Sequence, residues 1–227
     1  LNRRHTAGRA IEALRDARRA GFDNLTIDLI FGIPGFGGDS LRRTLDTALE
    51  TGVEHISAYH LTIESNTVFG RRVARGTFAP VDEAVSEAEF YEVHDRLTAA
   101  GYEHYEVSNF ARPGFRARHN AAYWHGVRYL GIGPAAHSFD GGERHWNPSS
   151  VERYIAGEAA ENETLTDRDR YNEYIMTRLR TVEGIDLREV AGRFGNERAA
   201  RIPEALRPWV ECGAAEIHGR KGSVPPR

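Results

Sequence analysis

Apolar positions between residues 6 and 20 fall at helical spacing, with Ile11, Leu14 and Ala17 on one stripe, Thr6 placed to cap the start and Gly21 to end the run. Residues 25–31 form a short, largely apolar, β-branched run between Asp23-Asn24 and a Gly/Pro cluster, which predicts a buried strand whose polar exception is Asp28. Helical spacing returns at Leu41, Leu45 and Leu49, with Asp39 or Ser40 as cap and Gly52 as terminator, before a second strand predicted over 55–61. A third helix predicted over 82–100, carrying Phe90, Val93 and Leu97, ends at Gly101 and precedes a third strand over 104–107.

Strands alternating with helices over short connections predict an α/β fold with a parallel sheet, open or curled into a barrel, whose ligands gather beyond the carboxyl ends of the strands. Three clusters follow directly after predicted strands: Gly32-Ile-Pro-Gly35, Thr62-Ile-Glu64 and Ser108-Asn-Phe-Ala-Arg-Pro-Gly114. Composition changes after Asn147. From there helices are predicted over 151–155, 167–179, 187–194 and 199–212, with turns at Gly157, Gly184 and Gly195. Residues 215–218, 219–222 and Val224 suggest a small hairpin and a winged-helix appearance. The expected organisation is a barrel-like domain over 1–150 and a small, mostly helical domain over 151–227.

Charge narrows the partners. Thirty Lys and Arg against 33 Asp and Glu leave a formal charge of −3 without long blocks of either sign, so no broad electrostatic footprint for nucleic acid exists and a small molecule or a protein is expected instead. A mean hydropathy of −0.54 and the lack of a long apolar run argue against a membrane span. The single cysteine, Cys212, cannot form an internal disulfide, which fits a reducing cytoplasm, and cannot alone hold an iron–sulfur cluster. Beside Gly213 it reads as an inert structural thiol. Leu1 and Arg227 read as cut ends.

Asp28 is the sharpest anomaly, because a carboxylate in an apolar strand needs a partner to offset its desolvation. A structural partner explains it as well as a ligand does. The turn Gly32-Ile-Pro-Gly35 lets a ligand approach main chain closely, but no Gly-Lys-Ser/Thr follows it and Gly35-Phe-Gly37-Gly38 lacks the third glycine of a dinucleotide fingerprint. Gly131-Ile-Gly-Pro-Ala-Ala136 fits that loose pattern, yet residues 137–142 read as a turn rather than a helix, so it is expected to be a close-packed loop. Between Arg118 and Tyr129 lie His119 and His125 with Asn120, Tyr123 and Trp124, a density of polar aromatics suited to a planar ligand. Imidazole ligates haem iron; equally, Tyr123 and Trp124 fit a core and His119 a hydrogen-bonded structural residue. Neither His119/His125 nor His55/His60 has the spacing of a zinc-hydrolase helix.

The string Ile27-Asp-Leu-Ile-Phe-Gly-Ile-Pro-Gly35, followed by His55-Ile-Ser-Ala-Tyr59, Leu61-Thr-Ile-Glu64, Tyr105-Glu-Val-Ser-Asn-Phe-Ala-Arg-Pro-Gly114, His119-Asn-Ala-Ala-Tyr-Trp124 and Leu130-Gly-Ile-Gly133 through Ser138, resembles the HemN and HemW group of the radical S-adenosylmethionine (SAM) superfamily. The tail, with residues 172–180 and Gly184-Ile-Asp186, resembles the HemN carboxy-terminal domain. The resemblance implies the C-terminal part of a radical SAM partial (β/α) barrel followed by a small, mostly helical, winged-helix-like domain. It also implies a 4Fe–4S cluster on a Cys-x-x-x-Cys-x-x-Cys segment, with SAM on the open iron. That segment is absent from this sequence and is expected upstream of Leu1, so the chain as it stands is not expected to cleave SAM.

By the same resemblance Asp28 faces the SAM ribose or methionine, and Gly32, Ile33 and Pro34 border the adenosine. Phe36 stands where glutamine is common. The motif of His119, Asn120, Tyr123 and Trp124 is implicated in haem binding, with His119 as axial ligand. The implied function is a haem chaperone that passes haem to a recipient haemoprotein. The alternative is an oxygen-independent coproporphyrinogen III oxidase, an oxidoreductase acting on a porphyrinogen.

Overall fold

The computed structural model describes residues 5–218 and 221–223. Packing divides the chain into two compact units, Leu1–Ala117 and Arg118–Arg227, whereas the change of composition lies near residue 150.

The first unit runs α1 (Ala7–Arg19), β1 (Thr26–Phe31), α2 (Asp39–Glu50), β2 (His55–His60), α3 (Val68–Ala74), α4 (Glu83–Ala99), β3 (Glu103–Glu106) and β4 (Asn109–Ala111). The helix α1 starts where its cap predicts, with Thr6 Oγ1 accepting from Arg9 N–H. The start of α2 differs from expectation: Gly38 takes the cap position, with no side-chain bond, and Asp39 lies inside the helix. Strands β1 and β2 pair in parallel, Thr26 opposite His55 and Asp28 opposite Ser57.

The sheet order β1-β2-β4-β3 corrects the expectation of an all-parallel sheet. The short β4 turns back immediately after β3 and inserts antiparallel between β2 and β3. The cluster beginning at Ser108 therefore contains a short strand of its own, Asn109–Ala111. A stretch this short leaves no hydrophobic period from which its direction can be read.

One face of this sheet is covered by Leu41, Leu45 and Ala48 of α2 and by Val93 and Leu97 of α4, which pack with Phe31, Ile56, Ala58 and Phe110. Leu45, Ile56 and Leu97 are completely buried, each contributing roughly 1.5–3 kcal/mol of transfer free energy. Strand alternation sends Ile27, Leu29 and Phe31 toward this core and Asp28 to the opposite face.

The second unit contains α5 (Arg118–Trp124), β5 (His137–Phe139), β6 (Glu143–Trp146), α6 (Val151–Ile155), β7 (Glu161–Thr164), α7 (Asp167–Leu179), β8 (Ile185–Asp186), α8 (Leu187–Phe194), α9 (Asn196–Glu211), β9 (Glu216–His218) and β10 (Lys221–Ser223). Residues 137–139, expected in a turn, are a strand; the turn is confined to Asp140, Gly141 and Gly142. Strand β6 pairs antiparallel with both β5 and β7, so pairing crosses residue 150. The loop before β5 is tied closely, with Gly131 N–H donating to Ser138 Oγ at 3.0 Å and Asn147 Nδ2 donating to the Gly133 carbonyl at 2.9 Å.

Helix α7 begins in a capping box, Thr166 Oγ1 accepting from Asp169 N–H while the Asp169 carboxylate accepts from Thr166 N–H. Tyr174, Ile185, Val190, Ala199 and Ile202 form the core of helices α7 to α9. Strands β8, β10 and β9 make a small antiparallel sheet beside them, the winged-helix arrangement expected. Gly219, Arg220 and Val224, named in that expectation, lie outside the described residues. No helix among the described residues is long and apolar enough to cross a membrane.

Candidate functional site

In the first unit the candidate residues cluster at the end of β1. Gly32 is buried, has φ +70°, and a Cβ there would lie 2.3 Å from His60 Nε2, so only glycine fits. Its N–H donates to Glu89 Oε2 at 2.7 Å, and Glu89 Oε1 lies against Gly37 so closely that a Cβ on Gly37 would come within 2.2 Å of it. His60 is held in turn by Ser86 Oγ at 2.7 Å and by the edge of Phe31. Thus α4, through Ser86 and Glu89, fixes a turn more than fifty residues earlier in the chain. Ile33 and Pro34 are half-buried in that turn.

The reading of Asp28 as a buried carboxylate is corrected, because its side chain is exposed. Strand β1 is at the edge of the sheet, and Asp28 lies on the face away from α2 and α4. No desolvation has to be offset there, so the anomaly that singled it out disappears.

Beside Asp28 the same face carries a buried polar network that sequence reasoning missed. His55 reaches Thr26 Oγ1 at 2.7 Å through Nδ1 and Tyr105 Oη at 2.8 Å through Nε2. Tyr105 Oη also accepts from Ala117 N–H at 3.2 Å. Assigning the Tyr105 proton to His55 Nε2 puts the imidazole proton on Nδ1, donated to Thr26. Burial pushes His55 below its ordinary value of 6.5, and the Asp28 charge partly opposes the shift. Ser57 Oγ donates to Asn109 Oδ1 at 3.0 Å, and the Glu106 carboxylate accepts from Asn109 Nδ2 and Ser108 N–H. The available signal was the run of polar residues at alternate positions in strands whose other positions are apolar.

In the second unit the aromatic motif is helical, which the sequence reading did not anticipate. Helix geometry puts His119 and Tyr123 on one face of α5, with Tyr123 Oη 3.2 Å from His119 Nε2 and the rings edge to face at 5.0 Å. His119 is exposed and Asn120 half-buried. With Nε2 engaged by Tyr123, the imidazole can present the Nδ1 lone pair to a metal, and a hydrogen bond to the other nitrogen is the usual way such a ligand is oriented. Trp124 lies under the Arg180 guanidinium at 4.6 Å. His125 binds back to the Ala121 carbonyl through Nδ1 at 2.7 Å. Of the four, His119 and Tyr123 are in contact, with Asn120 and Trp124 elsewhere on the same helix, while Asp28, Gly32, Ile33 and Pro34 belong to the other unit.

Asp140, Glu143 and His145 offer ligand atoms within 4.8 Å of one another. The Asp140 carboxylate is already occupied by the Gly142 and Glu143 N–H groups of its own turn.

Residues 165–227 match the HemN C-terminal domain family. The chain is 39% identical over 225 residues to the heme chaperone HemW of Mycobacterium tuberculosis, covering 96% of this chain and 56% of that protein. It is 32% identical over 232 residues to the heme chaperone HemW of Bacillus subtilis, covering 99% and 60%. Among solved structures it resembles the coproporphyrinogen III oxidase (HemN) from Escherichia coli, described as a radical SAM enzyme, with a TM-score of 0.77 over 98% of this chain and 56% of the other, at 20% identity. That last likeness is one of fold. The chain is thus homologous to HemW proteins along nearly its whole length, matches the HemN C-terminal domain over residues 165–227 and shares the HemN fold, and it spans 56–60% of the length of these two HemW relatives.

Proposed function

We propose that this chain is the haem-binding part of a HemW-like haem chaperone, which holds haem through His119 and releases it to a recipient haemoprotein in the cytoplasm. The observation that carries the reading is the His119–Tyr123 pair on α5, within a chain whose relatives bear the name heme chaperone. An exposed imidazole suits delivery, because a cargo that must leave needs an accessible ligand rather than a closed pocket. When bound, haem would supply an iron that the His119 imidazole can ligate. Tyr123 orients the ring that takes it, and Asn120 and Trp124 flank it on the same helix.

Asp28, Gly32, Ile33 and Pro34 are assigned to SAM, the turn offering backbone to the adenine side and Asp28 an exposed carboxylate to the ribose or methionine. The chain's residues do not fit the 4Fe–4S cluster of the family, since the one cysteine is exposed Cys212 after α9. The oxidase reading rests on a likeness of fold at 20% identity, which carries no activity.

The test is a haem titration of this chain and of His119→Ala, followed through the Soret band near stoichiometric haem. A saturable one-to-one shift that the substitution abolishes is expected. An equal shift in both proteins, or none in either, removes His119 as the ligand.

A further inference from the structure

In the second unit a cavity of about 420 Å³ is lined by the end of α5, the β5–β6 hairpin and helices α7 and α8, a size within the range of small-molecule sites. Part of its wall is aromatic: the ring of Tyr123 lies 4.9 Å from Tyr129, and Tyr129 lies 6.1 Å from Phe139. The charged lining is lopsided, with Arg144, Arg170, Arg178 and Arg193 against Glu173. Most of these cations are already answered. Arg144 pairs with Glu173 at 2.9 Å and Glu163 at 3.5 Å, while Arg178 and Arg193 share the Glu189 carboxylate at 3.2 and 2.9 Å.

Arg170 is the most loosely paired of them: it faces Asp167 Oδ1 at 3.8 Å while Arg198 holds Oδ2 of the same carboxylate at 2.6 Å, and its side chain is 43% exposed at the rim of the cavity. A loosely paired, solvent-accessible guanidinium at the rim of a cavity with an aromatic wall matches a ligand that is flat and apolar over most of its area and carries a carboxylate at its edge. Tyr123 joins this cavity to the proposed iron ligand, since its hydroxyl contacts His119 and its ring lines the wall.

We infer that this cavity seats one edge of a tetrapyrrole and that Arg170 binds a propionate carboxylate of it, an assignment that rests on the haem reading above. His119 then holds the iron and Arg170 holds the acid, two contacts that can be removed separately.

The experiment titrates the 227-residue chain, His119→Ala, Arg170→Gln and the control Arg168→Gln with haem, with iron-free protoporphyrin and with haem dimethyl ester, by absorbance and tryptophan fluorescence. Loss of a charge-assisted hydrogen bond should weaken haem and protoporphyrin about tenfold in Arg170→Gln. The dimethyl ester should be bound equally by wild type and Arg170→Gln, and Arg168→Gln should behave as wild type. His119→Ala should lose the haem Soret shift yet keep protoporphyrin. Unchanged haem and protoporphyrin affinity in Arg170→Gln, or an equal loss for the ester, overturns the assignment while leaving His119-dependent haem binding intact. Wild type that binds no haem overturns the haem reading itself, and this assignment with it.

Discussion

Tyr123 stands one helical turn after His119, and its hydroxyl lies 3.2 Å from the imidazole Nε2. The pair exists because the intervening residues are helical; in an extended segment the two side chains would be far apart. Removing the hydroxyl in Tyr123→Phe leaves the ring and the helix but frees the imidazole to rotate. Haem affinity should fall by about tenfold, the lower end of what loss of an orienting partner does to a metal site, with far-ultraviolet circular dichroism unchanged. An affinity equal to wild type in the Soret titration would show that the hydrogen bond does not orient the ligand.

Glu89 accepts the buried Gly32 N–H, so its truncation should cost stability at a distance. Glu89→Ala is expected to destabilise the chain by about 1–3 kcal/mol, the penalty of an unpaired buried donor, whereas Glu89→Gln keeps an acceptor and should cost less. Urea unfolding midpoints decide it. Equal midpoints for the alanine and glutamine variants would contradict a role for the carbonyl-type acceptor.

Gly32→Ala meets two obstacles, a φ of +70° and the His60 ring. A loss of about 2–4 kcal/mol is expected. If the variant melts within a degree of wild type, the turn is not constrained in the way described.

Burial holds His55 and His104 below their ordinary value of 6.5. In the unfolded chain both protonate near that value, so between it and their lower folded values the unfolded state binds more protons. Stability from these groups is complete above pH 6.5 and should fall as the pH drops through the window below it. His104 stacks on Phe110 at 4.1 Å, which makes His55→Asn the less disruptive probe. Its unfolding free energy should depend less steeply on pH below 6.5 than that of wild type. Parallel slopes would remove His55 as a contributor.

Thr166→Ala deletes the capping box of α7 and should cost about 1 kcal/mol. A larger loss, by denaturant unfolding, would mean that Thr166 supports more than its own helix.

The sequence by itself determined the helices over 151–155, 167–179 and 187–194 to the residue, because caps, glycine stops and apolar period are all local. It also determined strands β1 and β2 closely and marked the glycine turn and the aromatic motif, whose residue types are informative without their neighbours. Only the tertiary structure decided that β4 inserts antiparallel between β2 and β3, since strand order depends on contacts that no short window contains. It alone exposed Asp28, because burial of a strand position depends on what lies beside and above the strand, and β1 is an edge. The same holds for Glu89 on the Gly32 turn and for Arg170 beside its cavity: each is one ordinary charged residue on a helix until folding brings it to a buried amide or to an aromatic-walled cavity. Local propensity is written in the order of residues, whereas desolvation and pairing are properties of the neighbours that folding supplies.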